Sequence, residues 1–252
     1  MDLVREVIGL DGCPGGWVGA RWDGGSGLVL ERYGNLTAVF AGPTAWLQAA
    51  VDMPIGLPEM AGPRGRAPER LVRPLLGMRQ SSVFSVPSRA AVEAGGDADG
   101  DDATRYQAAC RIARATSEPP RAISKQAFNI FPKILEADAL LRSRPGLPLA
   151  ECHPEVSFWA MNGRKPLALP KKVKSTPSPE GMALRIALLA AQGMPVASLT
   201  PAQARRLRVG LDDLVDACAC AWTALRIARG TAEAFPDPPE TDKHGLPVAI
   251  WA

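Results

Sequence analysis

The sequence predicts an α/β fold built on a mixed β-sheet. Three observations carry that expectation. The N-terminal part holds short β-prone runs joined by Gly/Asp turns, the mark of consecutive antiparallel hairpins. A fourth apolar run follows a connection long enough to bring it back parallel to the first. Beyond it the chain becomes helical and Arg-rich, with proline or acidic residues at several helix starts.

The expected strands are Val4–Asp11, Trp17–Trp22 and Leu28–Tyr33, the last two joined by Asp23-Gly24-Gly25-Ser26-Gly27. A short helix at Thr44–Gln48 supplies the crossover, and Ala49–Met53 is a buried strand stopped by Pro54. Arg64, Arg66, Arg70, Arg73 and Arg79 then precede the segment from Ser81 to Pro87. The run from Gly95 to Asp102 resembles a calcium loop but lacks the closing Glu, so its final aspartates are read as caps for a helix over Ala103–Thr116. A second helical region, Ser124–Arg142, is broken at Pro132 and leads to a strand at Pro148–Cys152 and a helix at Pro154–Met161. Lys171, Lys172 and Lys174 fall in a Pro/Ser-rich loop before helices at Glu180–Gln192, Pro201–Arg208 and Leu211–Arg229. One domain over residues 1–235, with a helical insertion around 60–147, is the expectation. The Pro-rich residues 236–252 are expected to wrap the surface as a tail, and no internal repeat is visible.

Composition narrows the function classes. With 252 residues, 46% hydrophobic and 22% charged, the chain has the make-up of an ordinary globular protein. A net charge of +3 is far from the footprint of a nucleic-acid packaging protein, yet permits a polyanionic substrate. The five cysteines show no framework spacing, and no secretory segment precedes them, so free thiols in a reducing cytoplasm are expected. Cys218 and Cys220 lie two apart on a helix and cannot chelate one ion together. With only two histidines a closed structural zinc site is not expected. No apolar run approaches the length of a bilayer span, so no membrane partner is expected.

The chemistry-bearing candidates are carboxylates. Asp11 ends an apolar strand and is followed at once by the glycine-rich turn Gly12-Cys13-Pro14-Gly15-Gly16; Asp52 and Glu151 stand at comparable strand ends; Asp213 and Asp216 open the last long helix on one face. Singly, each has a plain role as a turn residue, a cap or a partner for the helix dipole. As a set they differ, because strand-end carboxylates on parallel strands emerge at one sheet edge, where they repel unless a cation joins them. Oxygen donors without thiolate or imidazole suit Mg2+ or Mn2+, and two such ions about 3.5–4 Å apart are the usual arrangement for in-line attack on a phosphodiester.

The segments Gly9–Trp17, Val51–Pro58, Leu76–Phe84, Ser124–Phe128, Glu151–Phe158 and Asp212–Ala217 together resemble domain-of-unknown-function family 429, described as predicted RNase H-like nucleases. The resemblance spans Ile8 to Arg229. It implies an RNase H-like fold: a five-stranded mixed sheet, three antiparallel strands then two parallel, with helices on both faces. It also implies a divalent-metal-dependent nuclease or phosphodiesterase using two metals. In that scheme Asp11, Asp52, Asp213 and Asp216 are metal ligands, Asp11 bridging. Glu151 joins them as a catalytic candidate, with ordering His153 or binding substrate as alternatives. Arg79, Ser81, Ser82, Lys125 and His153 are the candidate contacts to a nucleic-acid or nucleotide-like phosphoester. Two other readings stay open. An actin-like phosphotransferase or ATPase would take phosphate on the Gly-rich hairpin, although such enzymes place nucleotide between two copies of the fold. A non-catalytic nucleic-acid or nucleotide-binding module would keep the fold alone.

Overall fold

The computed structural model describes residues 6–42, 46–96, 100–173 and 176–252. Its main sheet contains β1 (Val7–Cys13), β2 (Gly16–Trp22), β3 (Leu28–Tyr33), β4 (Gln48–Val51) and β5 (Leu149–Glu151) in the order β3-β2-β1-β4-β5. The β1–β2 and β2–β3 pairs are antiparallel; β1–β4 and β4–β5 are parallel. This is the five-stranded mixed sheet expected of an RNase H-like fold. The hairpin pairs two residues beyond Asp11, as far as Cys13 with Gly16, so Asp11 sits inside β1 opposite Val18 and the chain turns at Pro14 and Gly15. Gly15 turns with φ 68°, a conformation that favours glycine.

The crossover differs from expectation. Thr44 and Ala45 lie outside the described residues, while Trp46 and Leu47 are irregular and Gln48 already opens β4. The helical turn is instead α1 (Leu36–Val39), capped by Asn35, whose side chain accepts from Ala38 N–H at 2.8 Å. Between β4 and β5 run α2 (Ala67–Val72), a 3₁₀ stretch over Arg73–Ser82 interrupted at Gly77, α3 (Arg89–Gly96), α4 (Asp102–Ala115), α5 (Lys125–Phe128) and α6 (Phe131–Ser143). Asp101 caps α4 through Thr104 N–H at 2.7 Å, and Pro132 falls in the first turn of α6, where its missing N–H costs nothing. After β5 come α7 (Pro154–Met161), the ribbon β6 (Lys172–Val173) and β7 (Thr176–Pro177), α8 (Pro179–Ala191), α9 (Pro201–Leu207) and α10 (Leu211–Ala228). No helix among the described residues is long and apolar enough to cross a membrane.

Residues 236–252 are no surface wrap. They complete a hairpin of β8 (Ala234–Thr241) and β9 (Pro247–Trp251), and Leu246, Val248, Ala249, Ile250 and Ala252 are buried. A two-stranded ribbon leaves one edge of each strand unpaired, so it tolerates the prolines that would disqualify a central strand. Asp242 at its turn accepts from Leu57 N–H and from the buried Arg89 guanidinium at 2.8 Å, which ties the hairpin to the helical insertion.

Period-two alternation divides the sheet between two cores. Ile8, Leu10, Ala49, Val51 and Leu149 pack with Phe131, Ile134 and Ala137 of α6 and with α3. Val7, Val18, Ala20 and Ala50 pack with Leu214, Ala217, Cys218 and Ala221 of α10. Helices therefore cover both faces. At Gly9 the approach of α10 is closest: a Cβ there would stand 1.9 Å from Ala221 N and 2.1 Å from Ala217 O. Those neighbours are backbone and cannot rotate away. Gly9→Ala is expected to force α10 off the sheet and to lower stability by about 3 kcal/mol or more, the cost of overpacking a rigid core; denaturant titration of the two proteins measures it.

Candidate functional site

Two backbone relationships assemble the carboxylates. Leu10 pairs with Val51 and accepts a hydrogen bond from Asp52 N–H at 2.9 Å, so Asp11 and Asp52 lie side by side where the parallel strands end. Asp11 shares the face of Gly9, the face α10 covers. Asp216 immediately precedes Ala217, the residue whose carbonyl lies over Gly9, so the same close approach carries Asp216 towards Asp11.

The electrostatics register this convergence. Burial raises the Asp11 pKa well above the usual carboxylate range; Asp52, Asp216 and Asp213 raise it further, against the opposing pull of Lys171. Asp52 is pushed up to about 6 by burial and by Asp216, while His153 and Lys171 pull it down. Asp213 is raised by burial, and its Oδ2 accepts from Gly210 N–H at 2.9 Å as the third residue of a capping box. Asp216, 3% exposed, gives Oδ2 to the Lys171 ammonium, while its buried Oδ1 has no hydrogen-bond partner among the described residues. The Lys171 nitrogen is also 3.9 Å from Asp212 Oδ2. Burial works against that ammonium, but Asp216, Asp11 and Asp212 outweigh it and hold its pKa above the ordinary lysine value.

Two clefts open on this cluster and share Asp52, Ser82, Gln126 and His153. One, of about 220 Å³, has Asp11, Glu151 and Lys133 beside apolar Met53, Phe84 and Ile130. The other, of about 360 Å³, is lined by Arg79, Ser81, Ser82, Lys171 and Asp216. Four of the five expected substrate contacts thus border the acids. Lys125 does not: its ammonium stacks 4.0 Å from the Tyr106 ring centroid and 4.9 Å from that of Phe128, and the neighbouring Gln126 lines both clefts instead. His153 N-caps α7, its Nδ1 accepting from Glu155 N–H at 3.2 Å; Nε2 therefore carries the proton and faces Ser82 O at 3.3 Å. That tautomer ties His153 to the loop bearing Ser82.

Glu151 is placed apart from the aspartates. It pairs with Val51, one residue short of Asp52, so the alternation turns it to the other side of the sheet edge. There both oxygens bind the buried Arg66 guanidinium, at 2.6 and 3.0 Å, and Oε2 accepts from Ile55 N–H at 2.8 Å. Burial pushes Glu151 up to about 7, against the opposing pull of Arg66. Glu69 completes the arrangement on Arg66 Nη2 at 2.6 Å. Glu151 thus joins α2 to β5 beneath the cleft. Glu151→Gln leaves Arg66 buried with a single carboxylate and is expected to cost about 3 kcal/mol of stability, seen as a lowered melting temperature.

Asp212, Gln126, Arg66 and Arg185 are not among the site residues the sequence suggests, and Lys171 is legible there only as one of the loop lysines 171–174 suited to phosphate, not as a partner of the aspartates. Arg185 is fully buried on α8, donates to both oxygens of Glu155 at 2.8 and 2.9 Å, and reaches Leu169 O at 3.3 Å, steadying the segment that carries Lys171. The only sequence signal for Lys171 is its membership in a lysine-rich loop, which describes a solvated lysine equally well.

Among the described residues no group of three or more His, Cys, Asp or Glu side chains is arranged to hold a metal ion as it stands. The donor chemistry nonetheless fits a hard cation. The converging oxygen donors are all carboxylates; Asp11 is held back from ionising by burial, Asp52 and Asp216, Asp52 by burial and Asp216, and one buried oxygen of Asp216 has no hydrogen-bond partner among the described residues.

A family model described as "Protein of unknown function (DUF429)" matches residues 9–241. The chain belongs to this family. No curated protein and no solved structure matches it. The match runs from Gly9 to Thr241, and so takes in every carboxylate of the cluster.

Raised carboxyl pKa values carry a definite sign in stability. A carboxyl group whose folded pKa exceeds its unfolded value binds more protons when folded, so stability is fullest at low pH and falls as pH rises through the folded pKa. For Asp52 the window runs from about 4, the unfolded value, to about 6. Metal-free protein is expected to lose melting temperature across that window. Asp52→Asn is expected to flatten the profile and to melt higher than the parent protein above pH 6.

Proposed function

We propose that this chain is a divalent-metal-dependent hydrolase of phosphodiesters, acting on nucleic acid or a nucleotide-like phosphoester. The observation that carries the reading is the buried Asp216 Oδ1, without a hydrogen-bond partner among the described residues, beside two carboxylates that follow Leu10 and Val51, the last paired residues of adjacent parallel strands. Asp11, Asp52 and Asp216 are the residues that would hold Mg2+ or Mn2+, with Asp213 alongside. Bound there, the cation would neutralise the cluster and supply the Lewis acidity that phosphodiester hydrolysis needs.

The remaining residues bind and orient. Arg79 borders the cleft with its buried Nε free of partners among the described residues, and a guanidinium suits a phosphate oxygen. Ser81 and Ser82 add hydroxyls at the rim, Ser82 being steadied by its hydrogen bond to Arg79 O at 2.8 Å. Lys133 lies on the far wall, its ammonium donating to Gly16 O and standing 4.6 Å from the Trp17 ring centroid. The apolar wall of Met53, Phe84 and Ile130 offers a surface for a base or another flat apolar group beside the charged edge.

Asp11→Asn keeps the shape of the side chain and removes its charge. In Mn2+, with a panel of single-stranded, duplex and branched DNA and RNA, the variant is expected to lose activity by about 10²-fold or more, by analogy with loss of one transition-state-stabilising group, and to fold normally. Mn2+ is expected to raise the melting temperature of chelator-treated wild type by mass action. Equal cleavage by both proteins overturns the proposal, and ATP-dependent phosphorylation of a small molecule that needs Asp11 replaces it with phosphotransfer.

A further inference from the structure

Lys171 is a loop residue whose place is unusual for a lysine. Its carbonyl accepts from Ser178 N–H at 2.9 Å, just ahead of α8. The preceding carbonyl, of Pro170, lies so close to α8 that a Cβ on Gly181 would stand 1.9 Å from it. One residue earlier, Leu169 O accepts from Arg185, itself held by Glu155. Three successive carbonyls are therefore held against α8, and the side chain that leaves this braced backbone ends among the aspartates. Its ammonium contacts Asp216 Oδ2 and lies 3.9 Å from Asp212 Oδ2, with both carboxylates less than a tenth exposed.

The two oxygens of Asp216 consequently have different fates. Oδ2 is engaged by Lys171, and the buried Oδ1 has no hydrogen-bond partner among the described residues. On α10 Asp213 is engaged as well, its Oδ2 accepting from Gly210 N–H. We propose, building on the metal-dependent reading above, that Lys171 is a resident cation in place of one of two divalent ions. The chain then binds a single Mg2+ or Mn2+ on Asp11, Asp52 and Asp216 Oδ1, with the ammonium as the fixed second positive charge. This departs from the two-ion expectation drawn from the sequence. It gives Lys171 a positioning role: it orients Asp216 so that one carboxylate oxygen stays available.

Metal counting tests this without reference to turnover. Chelator-treated protein is titrated with Mn2+ by equilibrium dialysis, with circular dichroism confirming the fold of each variant. Wild type is expected to bind one ion per chain, Lys171→Met two, and Lys171→Arg, which keeps the charge, one. Lys171→Gln keeps an N–H donor for Asp216 and serves as the neutral variant if Lys171→Met does not fold; it too is expected to bind two. Two ions in the wild type, or one ion in the folded neutral variant, overturns the assignment of Lys171 while leaving metal dependence intact. Absence of Mn2+ binding in wild type and variants alike overturns the metal-dependent reading itself, and this inference with it.

Discussion

The contact on which the site depends is the one between Gly9 and the backbone of α10. A helix normally meets a sheet through side chains, which keep the two backbones well apart. Here a glycine on the strand faces the Ala217–Ala221 stretch of the helix, and the main chains come together without intervening atoms. That approach fixes both the height and the rotation of α10. Asp216, next to Ala217, is thereby brought near enough to Asp11 to raise its pKa. The run of small residues from Ala217 to Ala221 serves the same end, because it offers no bulk to hold the helix away.

Gathering like charges at a buried edge has an electrostatic cost, and the protein meets it in three ways. Ionisation of Asp11 and Asp52 is shifted to higher pH. A backbone N–H is enlisted at Asp213. A lysine is brought in from a distant loop for Asp216 and Asp212. These devices leave Asp216 Oδ1 without a hydrogen-bond partner among the described residues, and the proposed cation site rests on that oxygen. Around it, the buried pairs Arg66 with Glu151 and Arg185 with Glu155 act as struts: breaking such a pair is costly even where forming it gains little. One strut braces the segment after Asp52, the other the segment before Lys171.

Local patterning made much of this legible. Alternating apolar residues and Gly/Asp turns identify the first three strands, and Pro132 marks the division between α5 and α6. The acids at the ends of β1 and β4 and at the start of α10 could be named because strand ends and helix starts are local features. Glu151 was grouped with them for the same reason, but strand-end position does not reveal the face. Its register opposite Val51 turns it to Arg66. Lys125 belongs to a motif segment, yet two aromatic rings hold its ammonium away from the clefts. In the C-terminal hairpin the prolines outweighed the apolar alternation of Val248 and Ile250, although an edge position makes proline harmless.

The sequence by itself determined which residue types stand at strand ends and helix starts, and with them the mixed sheet and the oxygen-rich character of the candidate site. These are properties of short windows, governed by backbone sterics, side-chain period and capping. Only the tertiary structure decided which carboxylates share a space and which cation reaches them. Lys171 and Asp216 are separated by 45 residues, and Arg66 and Glu151 by 85. Such pairings follow from packing distance and strand register. A difference of a single residue in register, or of a single methyl group at Gly9, would send the same side chains to different neighbours.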